Sequence, residues 1–265
     1  MYDFEYVKPS ALEDAAKILS DDDAAKAIAG GMTFIPVLKQ RFSQPSVVVD
    51  LSGLSLSYVR QEGDMLVIGA MTPHGVVAAS PIVQQAIPAL AYLAGHIGDR
   101  QVRYRGTIGG SLANNDPSAC YPSAVLALNG TIRTDRRDIA ADEYFQGMFT
   151  TALEPGELIT EVRLPVAERT AYVKFPSQAS RYALVGVFVA KTAAGARLAV
   201  TGAGQDGVFR HRTFEEALEK SFSASSLDGI DTPVDMMNSD IHAGAAYRAH
   251  LVDVIARRAV DIANA

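Results

Sequence analysis

Two glycine pairs constrain this chain more than any other feature. They lie in residues 29–36 (AGGMTFIP) and 105–117 (RGTIGGSLANNDP). The first follows an apolar run and the second a polar run, and each precedes an apolar segment of helical character. A glycine pair allows backbone conformations closed to other residues and lets the backbone approach a bulky ligand. A helix that begins after such a pair directs unpaired N–H groups toward an anion. Two such loops therefore predict one elongated ligand with a pyrophosphate, as in a dinucleotide.

Bulk composition excludes several classes of function. The chain has 265 residues, of which 48% are hydrophobic, and a net charge of −6. The acidic excess disfavours long-range attraction to nucleic acid. The single cysteine, Cys120, excludes an intrachain disulfide and an iron–sulfur cluster held by this chain alone. We find no secretory signal and no apolar run near the roughly 20 residues of a membrane span, so we expect a cytoplasmic protein.

The order of apolar and turn segments predicts two α/β units, at about residues 1–55 and 56–167, and a C-terminal domain at 168–265. That last region reads as an antiparallel meander followed by helices. Ser10 and Glu13 form a capping-box pattern for the first helix. A single long helix is predicted from Ser80 to about residue 98. The polar run 99–105 contains Arg100, Arg103 and Arg105, which either neutralise phosphate or pair with a partner subunit, or else belong to a solvated strand face.

A literal G-x-G-x-x-G occurs at Gly202, Gly204 and Gly207. The segment that follows, VFRHRTF, lacks the small-residue helix start that a dinucleotide fingerprint requires. Asp206 and Gly207 instead suit the positive φ of a hairpin turn. We therefore predict a hairpin here and no nucleotide site.

The glycine loops also have a simpler interpretation. Gly30 and Gly31 alone are equally typical of a tight strand-to-helix turn. The second loop is harder to explain in that way, because a dense run of small and hydrogen-bonding residues lies inside an apolar region. Its backbone groups need partners, which a bound ligand supplies.

Five segments resemble the FAD-binding medium subunit of the molybdenum hydroxylases, the family of xanthine dehydrogenase, carbon monoxide dehydrogenase and aldehyde oxidoreductase. They are AGGMTFIP, VRYRGTIGGSLANNDPSACYPSAVLALNGTI, YFQGMFTTALEPGELITEVRLP, YVKF and SDIHAGAAYRAHLVDVIARRAV, in the expected order. The resemblance implies an α+β fold: a vanillyl-alcohol-oxidase (PCMH) type FAD-binding domain of two α/β subdomains, plus a C-terminal domain with a small antiparallel sheet and helices.

The resemblance also implies cofactors and partners. This chain would carry FAD, while a large molybdenum subunit and a small iron–sulfur subunit would carry the molybdenum cofactor and two [2Fe–2S] clusters. Electrons would pass from substrate through the clusters to FAD and then to an external acceptor. The complex would be a dimer of heterotrimers. The chain itself would supply no catalytic residue and no metal ligand.

The implied FAD contacts are carried over residue by residue. They comprise the first loop, the second loop with its polar tail, and four separate positions: Ala29, Gly30, Gly31, Met32, Thr33, Phe34, Ile35 and Pro36; Thr107, Ile108, Gly109, Gly110, Ser111, Asn115 and Asp116; and Ile97, Cys120, Ile159 and Lys174. In relatives, a lysine near position 174 approaches the flavin ring. Many relatives have an acidic residue at the position of Cys120, where a thiol is a poor partner for a ribose hydroxyl.

Two other functions stay open on the sequence. A self-sufficient FAD-dependent oxidase or reductase would need its own substrate pocket and an acid or base beside the flavin. A non-enzymatic assembly module would not need intact glycine loops. The substrate and the electron acceptor are not indicated by the sequence.

Overall fold

The computed structural model describes residues 1–265. Three sheets of three, five and four strands organise the chain, together with a two-stranded hairpin. The three sheets fall within residues 1–55, 56–167 and 168–265 respectively. The division into domains at these boundaries stays a prediction.

The first sheet is parallel and has the order β1-β3-β2. Its elements are β1 (Glu5–Val7), α1 (Leu12–Asp21), β2 (Lys26–Ile28), α2 (Phe34–Lys39) and β3 (Val47–Asp50). The apolar central strand β3 buries Val48 and Val49. The capping-box prediction was wrong: α1 has Ala11 at its N-cap and no side-chain cap, because the helix begins one residue later than the pattern requires.

The second sheet is antiparallel and has the order β4-β5-β10-β6-β7. Its region comprises β4 (Val59–Glu62), β5 (Met65–Gly69), α3 (His74–Ala79), α4 (Pro81–Ala86), α5 (Pro88–Gly95), α6 (Arg100–Arg105), α7 (Ile108–Asn114), α8 (Tyr121–Ala127), β6 (Thr131–Thr134), β7 (Asp138–Ala140), α9 (Ala141–Tyr144), β8 (Phe145–Gly147), β9 (Thr150–Thr151) and β10 (Ile159–Pro165). The late strand β10 lies at the centre, where Val162 pairs with Ile68 and Ile132.

One helix prediction and one strand interpretation in this region were wrong. The expected long helix is broken into α4 and α5, because Pro88 has no N–H to continue the first helix and begins the second instead. Residues 100–105 form α6 and not a strand. Asp99 caps this helix by accepting a hydrogen bond from the N–H of Val102 at 2.8 Å.

The third sheet confirms the predicted antiparallel meander, in the order β11-β12-β13-β14. Its region comprises β11 (Arg169–Pro176), β12 (Ala183–Thr192), β13 (Gly195–Gly204), β14 (Gly207–Arg210), α10 (Arg212–Lys220) and α11 (Ala245–Asn264). Gly204 pairs with Gly207 across a tight turn, which confirms the hairpin interpretation of the glycine pattern. No helix is both long and apolar enough to span a bilayer.

The second and third sheets share one core through α8. All seven residues of α8 are buried. Tyr172 of β11 and Phe188 of β12 belong to the same apolar cluster as Leu66 and Val162 of the second sheet. In the same core β11 contacts α5 of the second region, and this packing fixes the position of β11.

Candidate functional site

A cavity of about 670 Å³ lies where the three sheets meet. Lys26 and Leu51 from the first region, Ala70 and Ile159 from the second, and Lys174 from the third all line it. This volume is within the range of small-molecule and cofactor sites. Because lining residues come from all three regions, the cavity suits an elongated ligand.

The first glycine loop follows β2 and presents free hydrogen-bond donors. The backbone N–H groups of Gly30, Gly31, Met32, Thr33 and Phe34 donate to no acceptor within the protein. Gly31 has a φ of +73°, which is strained for residues with a side chain. A run of consecutive unpaired N–H groups forms a concave site for an anion such as a phosphate.

Gly30 is required by close contact with the second loop. A Cβ at this position would lie 2.0 Å from the carbonyl oxygen of Arg105 and 2.8 Å from Cα of Gly106. Only a residue without a side chain allows the two loops to approach this closely. The two glycine motifs, more than 70 residues apart in sequence, are therefore in direct contact.

The second glycine loop works differently from the sequence prediction. The first N–H groups of α7 already have protein partners: Ile108 N–H donates to Thr72 O, Gly109 N–H to Ala70 O at 2.9 Å, and Gly110 N–H to the Thr107 hydroxyl at 3.1 Å. The expectation that this helix directs unpaired N–H groups toward an anion was wrong.

The glycines of this loop serve packing. A Cβ on Gly109 would lie 2.6 Å from Cβ of Ala70, just after β5. A Cβ on Gly110 would lie 2.9 Å from the Thr107 hydroxyl oxygen. The second motif thus brings α7 close to the end of β5 and leaves a shallow wall on the cavity side, where Gly109, Gly110 and Ser111 are exposed to it.

Asp116 and Asn115, in the polar tail of the second loop, have different roles. Asp116 lines the cavity and accepts a hydrogen bond from the N–H of Ser118 at 2.8 Å. Asn115 has a φ of 42° at the end of α7, and its amide donates to the carbonyl oxygens of Gly147 and Thr150. Its side chain therefore fixes the β8–β9 hairpin and does not line the cavity.

Lys174 and Cys120 meet at the wall built by β11. The Lys174 ammonium donates to the carbonyl oxygen of His96 at 3.0 Å and lies 3.5 Å from Sγ of Cys120. Both side chains line the cavity together with Ile97. The adjoining β11–β12 turn contributes Tyr182, which is half-exposed.

His74 is a buried imidazole that the sequence interpretation did not assign to the site. It lines the cavity at the start of α3, is 5% exposed, and its Nδ1 atom has no hydrogen-bond partner. Burial, with a smaller contribution from the positive charge of Arg103, lowers the pKa of His74 to about 4. The side chain is therefore neutral at physiological pH.

Glu157 is a buried carboxylate on the same wall. Burial acts to raise its pKa, but hydrogen bonds from Arg137, the Glu154 N–H and Thr134 outweigh burial and lower the pKa to about 2. Its ion pair with Arg137 measures 3.0 Å. These contacts tie it to the β6–β7 turn, so its charge is already compensated by the protein.

Most of the predicted FAD contacts line this cavity. They are Ala29, Gly30, Gly31, Met32, Thr33, Phe34, Ile97, Thr107, Gly109, Gly110, Ser111, Asp116, Cys120, Ile159 and Lys174. Four do not line it: Ile35, Pro36, Ile108 and Asn115. Ile108 is fully buried in the core, and Ile35 packs against Gly31. The FAD contacts themselves stay predictions.

Other lining residues were missed by sequence reasoning. They include Lys26, Ser43, His74, Gly98, Asn114, Ser118, Glu157, Leu158, Ser180 and Arg181. Gly98, Asn114 and Leu158 directly adjoin predicted positions. The others lie at the ends of strands and helices or in turns that reach the cavity through the fold, and no local pattern marks them.

Comparison with known proteins decides the family. Residues 2–167 match the family described as the FAD binding domain in molybdopterin dehydrogenase. This chain belongs to that family. As a flavin subunit of the molybdenum hydroxylases, it is an oxidoreductase component that carries FAD.

Relatives of the molybdenum hydroxylase flavin subunits align along nearly the whole chain. The nicotine 6-hydroxylase medium subunit of Paenarthrobacter nicotinovorans is 35% identical and covers 98% of this chain and 97% of its own length. The carbon monoxide dehydrogenase medium chain of Afipia carboxidovorans is 33% identical, with 99% and 97% covered.

A solved structure has the same fold. Carbon monoxide dehydrogenase from Hydrogenophaga pseudoflava superimposes with a TM-score of 0.89 at 32% identity, covering 98% of this chain and 96% of that chain. The expected α+β flavin-subunit fold is thereby confirmed. The relatives are medium chains of multi-subunit dehydrogenases, which implies large and small partner subunits for this chain as well.

Proposed function

We propose that this chain binds FAD in the cavity between its three sheets, with the pyrophosphate on the first glycine loop. The observation that carries the proposal is the run of five unpaired N–H groups from Gly30 to Phe34. Backbone donors of this kind match the two negative charges of a pyrophosphate. The second loop supplies the facing wall through Gly110 and Ser111.

The two halves of FAD would extend in opposite directions from the pyrophosphate. We assign the flavin to the side of Ile97, Lys174 and Tyr182, and the adenosine to the side of Lys26, Ser43 and Leu51. An apolar side chain, a half-exposed aromatic ring and an ammonium group suit a large, partly apolar ring that gains negative charge on reduction.

Bound FAD supplies a carrier that accepts electrons from iron–sulfur clusters and releases them to an external acceptor. The residues of this chain bind the cofactor, orient it and set the charge around it. Among the lining carboxylates, Glu157 is already held in an ion pair with Arg137, so it is not free to act as an acid or base on a substrate. This supports a carrier subunit over a self-sufficient oxidase.

The partners in this proposal are a large molybdenum subunit and a small subunit with two [2Fe–2S] clusters, arranged as a dimer of heterotrimers. Relatives are named as a medium subunit and a medium chain, which supports a complex with a larger and a smaller subunit. A cytoplasmic location is supported by the single, buried and unpaired cysteine, which is typical of reducing compartments.

Ligand discrimination tests the cofactor assignment. FAD and FMN would be titrated into the apoprotein while flavin absorbance and fluorescence are recorded. We expect one FAD per chain and binding of FMN at least about tenfold weaker, because FMN lacks the pyrophosphate that the first loop is proposed to hold. Equal affinity for the two flavins would contradict the proposed role of the loop.

Purification from the native host tests the carrier role. Iron, molybdenum and two additional chains should accompany the flavin, and the mass of the complex should correspond to six chains. Flavin on a single chain that turns over a small reduced substrate would instead establish the self-sufficient oxidase or reductase.

A further inference from the structure

Lys174 is a cation of the cavity wall without an ionic partner. Both protein contacts of its ammonium group are to uncharged atoms: the His96 carbonyl oxygen at 3.0 Å and the Cys120 sulfur at 3.5 Å. An ammonium group has three N–H donors. One is used well by the carbonyl, one only weakly by the sulfur, and the third remains for a ligand.

Neither of the carboxylates that line the cavity forms an ion pair with Lys174. Glu157 forms its ion pair with Arg137 at 3.0 Å and accepts further hydrogen bonds from Thr134 and the Glu154 N–H. Asp116 accepts from the N–H of Ser118. These are the only acidic side chains among the lining residues.

Apart from Lys174, the polar side chains beside Cys120 are the hydroxyls of two tyrosines. The thiol is 4% exposed and lies close to the hydroxyls of Tyr121 and Tyr172, neither of which has a hydrogen-bond partner. Burial, reinforced by the neighbouring Cys120, raises the pKa of both tyrosines well above the ordinary value, so these hydroxyls carry no charge. Lys174 therefore lines the cavity without an ion-pair partner among the surrounding side chains.

We propose that Cys120 sets the reduction potential of the bound FAD, because a thiol at this position leaves the charge of Lys174 uncompensated beside the flavin. The inference rests on the proposed function, and in particular on the flavin lying at the Lys174 side. Cys120 acts here as a positioning residue that works through Lys174. A carboxylate in its place would form an ion pair with the lysine and remove this effect.

The chemical basis is the charge that the flavin acquires. Two electrons, delivered one at a time by reduced [2Fe–2S] clusters, and one proton from solvent convert oxidised flavin into a reduced form with one negative charge. A nearby unpaired cation favours this anion by direct charge attraction. The protein therefore favours the reduced cofactor more than one with a compensated lysine would.

The test separates charge from shape at position 120. Cys120→Asp introduces the carboxylate, and Cys120→Asn introduces a group of the same shape without charge. Lys174→Met removes the cation, and Lys174→Arg retains it. Each FAD-loaded protein would be equilibrated with a dye of known potential under gradual reduction by dithionite, and the FAD content per chain would be measured in parallel.

We expect Cys120→Asp and Lys174→Met each to reduce the equilibrium constant for flavin reduction by about tenfold or more. Cys120→Asn and Lys174→Arg should stay within a factor of about three of the wild-type constant. If Cys120→Asp fails to bind FAD, the comparison of Lys174→Met with Lys174→Arg still decides whether the cation acts on the flavin.

Two results would overturn the inference while FAD remains bound. One is an unchanged constant in Lys174→Met, which would place the flavin away from this lysine. The other is an equal loss in Cys120→Asp and Cys120→Asn, which would show that shape and not charge matters. A wild-type chain that binds no FAD would instead refute the proposed function.

Discussion

Acid should destabilise the folded chain through the imidazole of His74. This side chain is 5% exposed and has a pKa of about 4, against an ordinary value of 6.5. Between these two pH values the unfolded chain binds a proton that the folded chain does not. The contribution of His74 to the free energy of unfolding is therefore present above pH 6.5 and is lost as the pH falls toward 4.

The size of this effect follows from the two pKa values of His74. Their difference corresponds to about 3 kcal/mol of unfolding free energy, of which about 2 kcal/mol is lost between pH 7 and pH 4.5. Protonation of Glu157, whose pKa is about 2, contributes mainly at lower pH. The window from pH 7 to 4.5 therefore reports chiefly on histidines: on His74, and on His211, whose pKa burial also lowers and which contributes alike to wild type and to a His74 variant.

The assay is urea unfolding of the apoprotein at both pH values, followed by circular dichroism because the chain contains no tryptophan. His74→Asn removes the titrating group, so its unfolding free energy should fall by about 2 kcal/mol less than that of wild type. His250→Asn, on the exposed side of α11, is the matched control and should follow wild type. Equal losses in wild type and His74→Asn would refute the reasoning.

Three further changes test the loops around the cavity. Gly30→Ala places a Cβ 2.0 Å from a backbone oxygen and should abolish FAD binding, measured as flavin absorbance per chain, whereas Gly244→Ala meets nothing within 4 Å and should retain it. Thr107→Ala removes the cap of α7 and should lower the unfolding free energy by about 1 kcal/mol. Thr107→Ser keeps the hydroxyl, and an equal loss there would contradict the capping role. Asn115→Asp preserves the shape of the side chain but removes its two N–H donors to the β8–β9 hairpin, so limited proteolysis of the hairpin should become faster. Unchanged cleavage would show that these hydrogen bonds do not hold the hairpin in place.

The sequence predicted the alternation of apolar segments well but not the contacts between distant segments. The meander of β11 to β14 was evident from its apolar runs and turn residues. The packing role of Gly109 was not evident from the sequence. The residue that leaves no room for a Cβ there is Ala70, which lies beside Gly109 only in the folded chain. The hydrogen bonds from the first N–H groups of α7 to the carbonyl oxygens of Thr72 and Ala70 could not be predicted for the same reason.

Local patterns also failed where one residue shifted the outcome. Pro88 divided an apolar stretch that reads as continuous, and Asp99 started a helix in a polar run. His74 gave no signal at all, since a lone histidine on an apolar helix is ordinary in sequence. Its place in the cavity depends on the approach of α6 to α3, which a single sequence does not display.

The strand order of the second sheet has a consequence for biosynthesis. Because β10 pairs with both β5 and β6, the sheet has no centre until residue 165 has left the ribosome. The wall that carries Lys174 follows still later. The first glycine loop is thus translated early, but more than half of the chain must still be synthesised before the rest of its binding site exists. Loading of the cofactor is accordingly a late event, and nascent chains interrupted before β11 should leave the ribosome without flavin.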